Sequence, residues 1–132
     1  MRSAALAAVL LAACSMPTGR TVAECDATWR EVDSVIVHPE ARATETVSID
    51  CMRRIDEKRV RIGFDMPAGP TCYVISAVDV IEAADAVSFT LRVAASDDPA
   101  AGACPPEATR TATEIDLQAP VADRHLLDGS RP

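Results

Sequence analysis

Apolar residues recur in this chain with a period of two, and no other feature constrains its fold as tightly. Val60, Ile62, Phe64 and Met66 alternate with Arg61, Gly63 and Asp65. Val87, Phe89, Leu91 and Val93 alternate with Ser88, Thr90 and Arg92, and Val47, Ile49 and Cys51 with Ser48 and Asp50. Successive side chains of an extended backbone point to opposite faces, so each pattern reads as a strand with one buried and one solvated face. Residues 72–81 (CYVISAVDVI) are apolar at both parities and read as a central strand. Val32 to Val37, Thr109 to Leu117 (with Ile115 and Leu117 inward) and Arg124 to Leu127 are further strand candidates. Asp26 to Glu31 offers a single helical turn.

The joints carry turn chemistry. Asp56-Glu57-Lys58 makes residues 46–66 a hairpin, and Ala83 to Asp85 makes residues 72–94 a second. Pro67-Ala68-Gly69-Pro70 separates them, and Ser96 to Pro106, with three Pro and one Gly, is a long irregular loop. Short strands between turn signals predict a small single-domain, all-β fold: an antiparallel β-sandwich or open barrel.

Large rings are scarce: Trp29, Phe64, Tyr73 and Phe89 are the only aromatics in 132 residues. A core so poor in rings gains from covalent staples. There are five cysteines, Cys14, Cys25, Cys51, Cys72 and Cys104, and the odd count singles one out. Cys14 ends the stretch MRSAALAAVLLAAC, in which Arg2 is followed by an apolar run from Ala4 to Ala13. A spanning helix needs roughly 20 apolar residues, so this run is too short to cross a bilayer and reads as a secretory signal. Its end, Leu11-Ala12-Ala13-Cys14, resembles the lipobox of bacterial lipoproteins. That resemblance implies diacylglycerol on Cys14, cleavage just before it, and residence at the extracytoplasmic face of the cell membrane. The expected organisation is a signal peptide at 1–13, a lipidated N-terminus and tether at 14–24, a β domain at 25–129 and a tail at 130–132.

Four cysteines remain, and an even count in an exported chain reads as two disulfides in one of three pairings. From residue 69 onward, about half the chain is similar to a group of small exported β-rich actinobacterial proteins of unknown function. The shared features are Cys72-Tyr73-Val74, an apolar-acidic hairpin through Asp85, a loop holding Cys104, a strand over Thr113 to Leu117, and Asp128-Gly129. The resemblance implies the Cys72–Cys104 bridge and supplies no catalytic residue. Cys25 then pairs with Cys51. On the Val47–Ile49–Cys51 alternation Cys51 faces inward, so Cys25 is expected to reach it by covering the apolar face.

Without residues 1–13 the chain carries 12 basic and 20 acidic residues. A net charge near −8 argues against a nucleic-acid partner, which needs clustered cations. One stretch opposes that balance. Arg53, Arg54, Lys58, Arg59 and Arg61 form a basic patch on the first hairpin, suited to anionic headgroups or an acidic partner, or simply to guarding a strand edge. No GxSxG, HExxH, phosphate loop or zinc spacing is present. Asp97-Asp98 lacks the DxDxDG spacing of a calcium loop and reads as solvated charge. His38 and His125, both at strand ends, are the sole candidates for a general base. The residues therefore point to a membrane-anchored binding module without cofactor or metal, meeting an envelope protein, a glycan or a small ligand. An envelope enzyme using His125 or His38, or a purely structural envelope protein, are the alternatives.

Overall fold

The structure is a computed structural model that describes residues 16–42, 45–67, 72–96, 104 and 107–130. The expected signal peptide at 1–13, Cys14, Asp97-Asp98 and most of the Pro-rich loop lie outside the described residues. The strands are β1 (Arg20–Thr21), β2 (Ala23–Glu24), β3 (Glu45–Val47), β4 (Cys51–Asp56), β5 (Arg59–Met66), β6 (Tyr73–Glu82), β7 (Ala86–Ala95), β8 (Thr109–Asp116) and β9 (His125–Asp128). They form two curled sheets, β1-β9-β7-β3 with β6 on the other edge of β7, and β2-β4-β5-β8. Together the sheets make a half-barrel. Most pairings are antiparallel as expected, but β2 runs parallel to β4 and β9 parallel to β7.

Two short segments stitch the sheets together. Residues 20–24 pair through Arg20 and Thr21 with β9 of one sheet and through Ala23 and Glu24 with β4 of the other. These residues, expected as tether, belong to the fold. On the opposite margin Ser34 bridges to Ala112 on β8 and Val37 to Ile75 on β6. The candidate strand at 32–37 is thus two isolated bridges, backed by bonds from Val35 N to Ala112 O (2.8 Å) and from His38 N to Ile75 O (2.7 Å).

The period-two residues fill the interior. Val60, Ile62 and Phe64 of β5 and Val87, Phe89, Leu91 and Val93 of β7 are wholly buried and face one another with Ile49, Met52 and Ile75. Each such side chain contributes about 1.5–3 kcal/mol by leaving water. Burying the phenyl rings of Phe64 and Phe89 gives the core its two largest fully buried side chains.

Two further expectations are corrected. Strand β6 is not central. Its pairing runs along β7 only, with the single Val37 bridge on its outer edge. The register shifts between Ile75 and Ala77, and this bulge flips the inward parity. Tyr73 and Ile75 face the core before it, Val78 and Val80 after it, while Ser76 Oγ donates to Arg92 O. An apolar run on both parities is here the trace of one extra residue. The first hairpin is also shorter than expected. Strand β3 pairs with β7 in the other sheet, and the chain crosses at residues 48–50 to start β4. That crossing resets the alternation: Ile49 and Met52 point into the core, and Cys51 points out of it.

Both disulfides are as expected, Cys25–Cys51 (Cα–Cα 4.8 Å) and Cys72–Cys104 (5.7 Å). The first lies on the outer face of its sheet rather than the inner one.

Candidate functional site

Outside the second sheet, the Cys25–Cys51 bridge, Trp29 and Val32 form a small core of their own. Asp26 caps the 3-10 turn Ala27–Trp29 by accepting from Thr28 N (2.9 Å) and from the Thr28 hydroxyl. The Thr28 side-chain bond, then its backbone bond, holds the Asp26 carboxyl below its ordinary value. The turn lays the Trp29 ring over Gly63. A Cβ at residue 63 would stand 2.6 Å from Cys51 Sγ and 2.8 Å from Trp29 Cε3, so this approach requires glycine. Arg110 covers the ring, 4.5 Å from its centroid, and donates to Thr28 Oγ1 at 2.9 Å.

Beside this plate runs a groove of about 320 Å³, bordered by Trp29, Arg30, Arg53, Arg54, Ile55, Arg61, Asp26 and Glu114. Its volume falls in the range of small-ligand sites, about 300–1,000 Å³. Arg61 and Arg53 are direct cross-strand partners. Arg61 is satisfied: it meets Glu114 at 3.2 Å and donates to the carbonyls of Trp29 (3.3 Å) and Val32. Arg53 is half-buried and, among the described residues, its side chain has no hydrogen bond or ion pair; the same holds for exposed Arg30. Arg54 donates to a carbonyl, Arg124 O, at 2.9 Å, and not to an acid. A register shift between Arg54 and Asp56 turns Ile55, 43% exposed, onto the groove face.

The basic patch read from the sequence is therefore divided. Arg53, Arg54 and Arg61 line the groove. Arg59 is taken up by Asp116 (2.9 Å) and Glu114 (3.9 Å), and its hydrogen bond to Asp116 holds its guanidinium more firmly protonated. Lys58 belongs to the turn, its N–H donating to Asp56 (3.0 Å). Trp29, Arg30 and Arg110 were not anticipated. The available signals were the lone Trp four residues after Cys25 and a glycine on the solvated parity of β5.

The histidines lie elsewhere. His38 sits with Ser34, Ile36 and Tyr73 along the 34–37 seam, its Nδ1 3.1 Å from Glu40. His125 is exposed in a groove with Thr21, Glu24 and Asp123. Neither lines the arginine groove. Among the described residues no cluster of three or more His, Cys, Asp or Glu could hold a metal ion, and no helix is long and apolar enough to cross a membrane. No protein-family model, curated protein or solved structure matches the chain.

Proposed function

We propose that this protein is a lipid-anchored, non-catalytic binding module at the extracytoplasmic face of a bacterial cell membrane. Acyl chains on Cys14 anchor it, and the groove beside Trp29 receives its ligand. The observation that carries the binding reading is a preorganised concave surface in which, among the described residues, the Arg30 and Arg53 side chains form no ion pair. Arginines held on a sheet and beside a disulfide lose little freedom when an oxyanion arrives. Two disulfides suit an oxidising compartment outside the cytoplasm.

The anchor and the fold are close in the chain. Arg20, at the start of β1, lies six positions after Cys14, a reach of at most about 22 Å. A module on so short a leash samples the membrane surface and whatever lies against it. Each buried acyl CH₂ contributes about 0.8 kcal/mol, so several chains on one residue hold a domain of this size durably.

The test is growth with labelled palmitate. The protein takes up label and sediments with membranes, and Cys14→Ser abolishes both. A Cys14→Ser protein that keeps label and membrane retention overturns the anchor.

A further inference from the structure

We infer that the arginine groove is a phosphate-ester site. The inference rests on the binding-module reading and names the ligand chemistry of that groove. Arg30, Arg53, Arg54 and Arg61 border the groove against two acids, Asp26 and Glu114. Both acids are engaged, Asp26 on the Thr28 amide and hydroxyl and Glu114 on Arg61 and Arg59. The cationic excess falls on Arg30, Arg53 and Arg54, and it equals two charges.

The sheet makes this excess costly when the groove is empty. Like charges directly opposite on antiparallel strands destabilise the pair, and Arg53 stands opposite Arg61. Glu114 relieves Arg61, leaving Arg53 as the half-buried cation that an incoming anion would neutralise. Guanidinium forks donate in pairs to oxyanions. Three of them around one groove match a tetrahedral phosphate, doubly charged as a monoester or singly as a diester, better than a single planar carboxylate. Ile55 adds an apolar rim, which fits the carbon part of an ester. Two sources share this chemistry: the headgroup of an anionic phospholipid, and a soluble phosphate monoester.

Trp29 is the single tryptophan and borders the groove, so its emission reports occupancy without a label. The mature protein is placed in phosphatidylcholine bilayer discs and titrated with glycerol phosphate and, in parallel, with succinate. A second preparation uses discs containing phosphatidylglycerol. A saturable change with glycerol phosphate assigns a soluble ester, and one confined to phosphatidylglycerol discs assigns the headgroup; either supports the site. Arg53→Gln weakens the response about tenfold or more, the loss expected for a charged hydrogen-bond partner. Exposed Arg42→Gln, outside the groove, leaves it unchanged. No saturable change in either arm, an equal response to succinate, or equal responses in Arg53→Gln and Arg42→Gln would overturn the inference. The palmitate label is scored separately. A labelled protein that answers neither arm refutes the groove and keeps the anchor; an unlabelled protein that answers glycerol phosphate does the reverse.

Discussion

Gly63→Ala is the sharpest test of how the outer face is built. Two effects of opposite sign compete at this residue. Replacing glycine by alanine in a strand removes freedom from the unfolded chain and by itself stabilises by about 0.4–1 kcal/mol. Here the new methyl would lie 2.6 Å from Cys51 Sγ and 2.8 and 2.9 Å from two carbons of the Trp29 ring. Ordinary carbon contacts lie near 3.5–4.0 Å, so all three are well inside the repulsive wall. Neither neighbour yields easily. The sulfur is bonded to Cys25, which is itself tied to β4 through Cys25 N to Met52 O (3.2 Å), and the ring is held from above by Arg110. Overpacking of this kind costs about 1–3 kcal/mol. The overpacking term wins, for a net loss of about 1–2 kcal/mol, which corresponds to a drop in Tm of roughly 4–16 °C for a domain near this size. Denaturant unfolding followed through Trp29 emission measures it, and the native emission should shift as the ring lifts. A double-mutant cycle sharpens the result. In a background where Cys25 and Cys51 are both alanine, the contact to Sγ is gone and Gly63→Ala should cost less. A Gly63→Ala protein as stable as the parent, with unchanged emission, would refute the stacking of Trp29 on β5.

Removing Cys25–Cys51 by paired alanines should cost about 3.5 kcal/mol for a span of 26 residues, and Cys72–Cys104 about 3.7 kcal/mol for 32, in the chain-entropy account; only the first should disturb Trp29 emission, as fluorescence-detected unfolding will show. Glu82→Gln should loosen the segment after β8. Glu82 accepts from Gln118 N (2.9 Å), Ala119 N (3.3 Å) and buried Arg124 (3.0 Å). Burial alone would raise the Glu82 pKa, but the bonds from Gln118, Arg124 and Ala119 and the Arg124 charge outweigh it and leave the pKa lowered. A lowered folded pKa means that Glu82 stabilises fully above the ordinary carboxylate value and loses that contribution as pH falls through the folded one. The stability gap between parent and Glu82→Gln, measured by urea unfolding, should therefore be largest near neutrality and close in acid; a gap constant with pH would refute the assignment.

Strand identity was legible wherever one strand kept one partner sheet and one face. The alternations of β5 and β7 predicted their core-filling residues, because period two is a local property of extended backbone, but not that Gly63, Ser88 and Ala94 on the other parity are buried as well. The second hairpin, the helical turn after Asp26, the strand at 109–116 and the short last strand were legible for the same local reasons. The Cys72–Cys104 pairing came with a resemblance, and Cys25–Cys51 followed from it. Legibility failed where a face is set by a change of partner. Residues 48–50 carry the chain from one sheet to the other, so Cys51 keeps the parity of Ile49 in the sequence and loses it in space. An inserted residue at Ser76 likewise turned a bulged edge strand into an apparent central one.

What the sequence by itself determined is the all-β class and the apolar residues with which β5 and β7 fill the core, because both follow from short-range backbone geometry and the withdrawal of apolar surface from water. What only the tertiary structure decided is the groove. The Trp29-Arg30 turn, Arg53 and Arg61 come from separate parts of the chain, and their meeting depends on a 3-10 turn docking onto a glycine and a disulfide of other strands. Which basic residues are free depends on cross-strand register, which sets Glu114 and Asp116 against Arg61 and Arg59 and leaves Arg53 facing a like charge. Register is a property of paired strands, and no single stretch of sequence contains it.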